Sequence, residues 1–270
     1  VVDSPSDEWS AARVGIQFDV PRMWRLWNYW LGGKDNYPVD RALGDAVTEV
    51  YPEMRVAARE YQAFLGRVVS FLAGEAGITQ FLVIGTGFPD AENVHDVAQR
   101  INPAARVVYV DDDPSVLAHG RALLTSTTPA GVTICLDANV RDPVIFLAEA
   151  QEALNFNKPV AAIFLSMLGN VAAYDEARAI VAKVAAGLPT GSYLALGDFA
   201  DTSEGVRAAN AIYQEYGSQP YRLRTTGQLA ELVDGLSLVE PGLVPVNRWR
   251  PGLVSLADPV DIFGVVARTD

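Results

Sequence analysis

Phe81-Leu-Val-Ile-Gly-Thr-Gly87 is the stretch whose reading decides the fold. An apolar, β-branched run ends there in a Gly-x-Gly turn. Further on, Arg106-Val-Val-Tyr-Val-Asp111 ends a second such run in an acid. A strand, a glycine turn into a helix and an acid at the next strand end make a nucleoside-binding βαβ unit. Backbone at Gly85, Thr86 and Gly87 is expected to approach the ligand, and Asp111 to bond both ribose hydroxyls. An ordinary tight turn is the alternative for the glycines, and the downstream acid weighs against it.

The ligand is narrowed by what is missing. The dinucleotide fingerprint wants a third glycine where Asp90 stands, with a pyrophosphate at the helix N-terminus. Asp90 would repel that anion, whereas a nucleoside carrying a positive sulfonium meets no such penalty. An acid in a first helical turn also simply favours the helix dipole. That reading is compatible with S-adenosylmethionine and awkward for NAD or FAD. S-adenosylmethionine is therefore the expected cofactor, with S-adenosylhomocysteine as its product.

Outward from this unit, strands and helices alternate from Thr79. Strands are expected near 80–84, 106–110, 132–136, 159–165 and 191–197, and helices near 91–101, 114–124, 143–153, 174–187 and 203–216. Leu236–Val246 and Asp261–Arg268 read as two strands joined too briefly for a crossover helix, so the last strand should run antiparallel. The expected fold class is α/β, a Rossmann-like class I methyltransferase sheet, mostly parallel with its last strand antiparallel. Upstream, Pro21 opens an aromatic segment stopped by Gly32-Gly33, and helical patterns follow over Val39–Val50 and Met54–Ala73. The expected division is a loose arm over 1–20, a helical cap or lid over 21–78 and the cofactor-binding domain over 79–270.

Composition bounds the partners. The chain has 270 residues, half of them hydrophobic, with a formal charge of −12 and no Lys/Arg-rich run. Nucleic acid is not an expected partner, because phosphate neutralisation supplies most such affinity. The longest apolar stretch, Pro159 to Ala173, falls short of a membrane span, and the polar, acidic N-terminus carries no secretory signal. No membrane association and a cytoplasmic location are expected, with oligomeric state left open, a homodimer included. The lone Cys135 excludes an internal disulfide and reads as a small buried hydrophobe.

The chain resembles an actinobacterial family of S-adenosyl methyltransferases, formerly a domain of unknown function, within the class I superfamily. The likeness runs from about Arg22 to the C-terminus. It is carried by Asn28-Tyr-Trp-Leu-Gly-Gly-Lys-Asp-Asn-Tyr37, Gln80-Phe-Leu-Val-Ile-Gly-Thr-Gly-Phe-Pro89, Asn93-Val-His-Asp-Val-Ala-Gln99 and Val107-Val-Tyr-Val-Asp-Asp-Asp-Pro114. Arg141-Asp-Pro143, Gly191-Ser-Tyr-Leu194, Glu240-Pro-Gly-Leu-Val-Pro-Val246 and Trp249-Arg-Pro251 extend it. It implies the class I fold and S-adenosylmethionine as methyl donor. Departures stand at Val83, where the family has an acid, at Asn139, at Leu165-Ser-Met-Leu-Gly-Asn170 and at Gly197-Asp198. Two family histidines are thereby absent, which implies a divergent substrate pocket.

Further site candidates follow. Asp112 is expected to flank the adenosine. Asn139 and Val140, after the third strand, are expected on the adenine, a loop-turn Asn being the alternative at 139. Ser166 and Met167, at a carboxyl strand end, should face the methionine portion. Tyr29, Gly33 and Lys34 are read as a lid reaching the cofactor. Trp24, Trp27 and Trp30 share a helix face and read as packing. Asp198, Asp35 and His95 are the candidate bases, none distinguished by sequence, although a structural or surface role suits His95 and His119 better. No metal-ligand spacing is visible.

The expected activity is methyl transfer to a small, hydrophobic or aromatic acceptor in secondary metabolism. The alternative is a protein that binds S-adenosylmethionine or S-adenosylhomocysteine without methyl transfer. It would act as a sensor, or use the sulfonium as an electrostatic catalyst.

Overall fold

The computed structural model describes residues 18–86, 92–216, 221–252 and 258–270. Among the described residues three helices lead in: α1 (Met23–Trp30), α2 (Pro38–Val50) and α3 (Met54–Ser70), the last widening into a π-helical turn, Phe71–Glu75. The alternating part follows as β1 (Gln80–Ile84), α4 (Val94–Ile101), β2 (Arg106–Asp111), α5 (Pro114–Leu123), β3 (Val132–Asp137) and α6 (Pro143–Ala150). It continues through β4 (Ala161–Leu165), α7 (Tyr174–Gly187), β5 (Tyr193–Phe199), α8 (Glu204–Glu215) and α9 (Thr226–Glu231). Short strands β6 (Ser237–Leu238) and β7 (Val244–Pro245) precede β8 (Ile262–Arg268). No helix among the described residues is long and apolar enough to cross a membrane.

The sheet order is β3-β2-β1-β4-β5-β8-β6, with β7 also on β8. The first five strands are parallel, and β8 is antiparallel to β5 and also to β6 and β7, to which the short C-terminal connection joins it. The strand expected over Leu236–Val246 is interrupted. Leu238 pairs with Ala267 and Val244 with Gly264, so the extra residues between them bulge out of the ladder.

Alternation sorts the strand side chains onto two cores. Phe81, Val83, Val107, Tyr109 and Ile163 pack under α1–α4, while Leu82, Ile84, Val108, Val110 and Phe164 pack against α6 and α7. The lead-in helices thus share a core with the sheet. Close approach of α3 depends on two paired glycines, Gly197 and Gly264, where an added Cβ would strike the rings of Tyr61 and Phe64 at 2.4 Å. Arg67 of α3 donates to the carbonyls of Trp249 (2.9 Å) and Val246 (2.6 Å), tying the C-terminal segment to the same helix.

Candidate active site

At the carboxyl ends of β1, β2, β3 and β4 the backbone turns away from the sheet and leaves a cavity of about 590 Å³. Its wall contains Gly85, Asp111, Asp112, Asn139, Val140, Ser166 and Met167, and α1 adds Met23, Trp24 and Trp27 from above. One cavity thus gathers candidates scattered over the sequence. A larger depression of about 820 Å³ lies at the amino ends of β1 and β2, beside Gln80 and Arg106. Ligands of open α/β sheets bind at the other end.

Each wall residue is held by local chemistry. Gly85 has φ +77°, and an added Cβ would lie 2.9 Å from Met167 Cβ, so only glycine lets the β1 and β4 turns touch. Asp111 accepts hydrogen bonds on both oxygens, from Thr86 N–H (2.9 Å) and Asp113 N–H (3.0 Å). Burial nevertheless pushes its carboxyl up to about 6, against the downward pull of those bonds. Burial likewise raises Asp112, with Asp113 adding like charge. Asp113 caps α5 through Ser115 N–H at 2.8 Å, in keeping with an acid before Pro114.

Asn139 is exposed, and its Oδ1 accepts from Arg141 N–H at 2.8 Å in a loop turn. Ser166 adopts a left-handed φ of 49° and places Oγ 3.3 Å from the Tyr221 hydroxyl. Behind this wall Asp198 is buried, accepting from Gly169 N–H (3.1 Å) and Phe199 N–H (3.0 Å). Burial pushes Asp198 up to about 7, with Arg224 and the two N–H bonds opposing. Arg224 in turn donates to Val171 O at 2.9 Å. Tyr221 and Arg224 escape sequence reasoning because they join the β4 turn from more than 50 residues away. Trp24 and Trp27, read as packing, also line the cavity, and their spacing along α1 is the signal that could have placed them there.

Other candidates sit apart from the cavity wall. The Tyr29 hydroxyl donates to Asp45 Oδ1 at 2.6 Å and its ring lies beneath the Arg55 guanidinium, both on the α2–α3 side. Gly33 packs on the Asn28 side chain, and Lys34 and Asp35 are exposed. His95 is buried against Tyr109, Nδ1 to hydroxyl 3.0 Å, and burial lowers its pKa while Asp96 opposes. Asp198 is buried and does not line the space. Gly87 and Asp90 lie outside the described residues.

The residues present fit an adenosine-sized group. The volume lies within the ordinary range for small-molecule sites, roughly 300–1,000 Å³. Asp111 accepts one hydrogen bond on each oxygen and keeps a second lone pair on each for hydroxyl donors.

Comparison with known proteins agrees with this geometry. No curated protein sequence matches the chain. A DUF574-family protein from Streptomyces avermitilis superposes with a TM-score of 0.89 at 38% identity, covering 94% of this chain and 99% of its own. A candidate methyltransferase from Thermobifida fusca gives 0.86 at 36%, covering 95% and 97%. The mitomycin 7-O-methyltransferase MmcR, at 15% identity and TM-score 0.52 over 97% of this chain and 72% of its own, shares the fold alone. The family model described as S-adenosyl methyltransferase matches residues 9–270, so the chain belongs to the S-adenosyl methyltransferase family, with the class I fold.

Proposed function

We propose that the cavity at the strand ends binds S-adenosylmethionine and presents its methyl group to a small aromatic or hydrophobic acceptor. The observation that carries this reading is the meeting of Gly85, Asp111, Val140, Ser166 and Met167 on one cavity beneath Trp24 and Trp27. Asp111 would hold the ribose through both hydroxyls, with Asp112 beside it. Val140 would pack on the base, and Gly85 with Thr86 would let backbone approach the methionine end. When bound, the cofactor supplies a sulfonium-activated methyl, so the chain's own residues need chiefly to align a nucleophile and exclude water. Trp24, Trp27 and Met23 form the apolar cover for that purpose.

Neither histidine lines the cavity, and Asp198 lies behind its wall. Among the described residues no imidazole faces the acceptor, so the favoured acceptor is one whose nucleophile ionises readily, such as an acidic phenol of the secondary-metabolite kind. The same absence of a cavity-lining histidine among the described residues, with buried Val83 where the family has an acid, supports the second reading of binding without transfer. A cytoplasmic setting fits either. Isothermal calorimetry with S-adenosylhomocysteine should show binding that Asp111→Ala weakens at least tenfold. A panel of phenols with methyl-labelled donor should then yield labelled product. Binding with no transfer to any acceptor favours the second reading, and no binding rejects both.

A further inference from the structure

β3 is an edge of the sheet: among the described residues β2 lies on one side of it and no strand on the other. Val132 N–H donates to Ala105 O (3.2 Å) and Ala138 N–H to Asp111 O (3.1 Å). By strand alternation, residues 132, 134, 136 and 138 therefore spend their backbone groups on β2. Thr133, Cys135 and Asp137 turn theirs outward, where no described residue bonds them. Natural edges are blunted by lysine, proline, a bulge or a very short strand. Val132-Thr-Ile-Cys-Leu-Asp137 has none of these devices, and its one charge stands at the end. Apolar side chains flank it. Ile134 is exposed in the strand itself, Leu123 at the end of α5, and Val144 and Ile145 on α6, both helices packing on β3.

We infer that β3 pairs with β3 of a second copy of this chain, antiparallel about a two-fold axis, and so continues the sheet across a homodimer. A two-fold interface must be self-complementary. This edge is. With the axis at Cys135, Cys135 faces Cys135 of the second copy and Thr133 faces its Asp137. Every outward-turned N–H and C=O of the strand is then satisfied at once, because residues facing in this way exchange both bonds. An axis at Ile134 leaves Asp137 without a partner, and one at Leu136 leaves Thr133 without one. An axis at Asp137 sets carboxylate against carboxylate, which is unfavourable. The charges thus favour the register that the backbone favours, and Arg121, 3.9 Å from Asp137, offsets that acid. The axis stands perpendicular to the sheet, so α5 comes beside α5 and α6 beside α6 of the second copy, next to the flanking apolar side chains.

Sedimentation velocity on the whole chain tests this. The wild type should shift from one chain to two as its concentration rises. Cys135→Pro deletes an N–H that bonds nothing within its own chain, and it should weaken the dimer about tenfold or more. Ile134→Lys, opposite Leu136 of the second copy, should do the same. Leu238→Lys, exposed at the other edge of the sheet, should leave the dimer unchanged. Thermal melts verify that the variants fold. Amide hydrogen exchange reports the register: Thr133, Cys135 and Asp137 should exchange more slowly in the dimer than in the Ile134→Lys monomer. A wild type that stays monomeric at every concentration overturns the inference. So does a dimer that survives both β3 substitutions in folded protein, or one that Leu238→Lys abolishes. Should proline prevent folding, the lysine variant and the exchange pattern still decide.

Discussion

Asp111 shows how one residue answers to two environments. Strand position places it at the cavity, where two backbone N–H groups steady its oxygens while burial raises its pKa to about 6. A protonated carboxyl has given up one of the lone pairs that ribose hydroxyls need. Affinity for S-adenosylhomocysteine should therefore weaken as pH falls through about 6, approaching tenfold per unit below it. Calorimetry across that range checks this, and a flat profile would show that Asp111 stays ionised or makes no ligand contact. The residue type and its place at a strand end were legible in Val107-Val-Tyr-Val-Asp111. The raised pKa was not, because desolvation comes from neighbours remote in the chain.

At the scale of the element, the Asn28–Tyr37 segment owes its polarity to the end of a helix. Gly32, at φ +85°, and Gly33 close α1 by donating to the carbonyls of Tyr29 (3.0 Å) and Asn28 (2.8 Å), a Schellman arrangement. Asn28 Oδ1 then accepts from Asp35 N–H (2.9 Å) and Asn36 Nδ2 (3.0 Å), pinning the chain as it turns into α2. A chain reversal thus accounts for much of a motif that reads equally well as a lid. Asn28→Ala removes both bonds and should destabilise the protein by about 1–2 kcal/mol. Faster proteolysis near Gly32 is expected alongside. Thermal unfolding and limited proteolysis check both, and an unshifted melting temperature would count against the role given to Asn28. The element itself was visible from Pro21 and the glycine pair. Which way Tyr29 faces was not, since that depends on how α1 rotates against α2.

For the whole molecule, buried carboxylates set the response to acid. Asp198 would ionise near the ordinary carboxylate value, 3.8, in the unfolded chain, but titrates at about 7 when folded. Between these values the fold holds a proton that the unfolded chain has lost, so stability falls as pH rises from about 4 to about 7. Full ionisation costs on the order of 4 kcal/mol. Asp111 contributes with the same sign up to about 6. His95 acts oppositely, because burial keeps it neutral while the unfolded chain gains a proton in acid. Asp198→Asn should flatten the decline, at the cost of one of its two N–H bonds. Urea unfolding between roughly pH 5 and 8 measures it, and an unchanged slope in the variant would refute the assignment.

The order of strands and helices, the glycine turn and the antiparallel finish were open to reading because each is a local pattern. Side-chain period, turn residues and connection length report directly on neighbouring backbone. Family membership was readable for the same reason, through short contiguous motifs. The tertiary structure alone decided which side chains meet. It set Tyr29 against Asp45 and His95 against Tyr109, and it buried Asp198 under the Gly169 and Phe199 N–H groups. Burial and pairing arise between residues far apart in sequence, and they depend on how helices rotate over a twisted sheet, which no local pattern encodes.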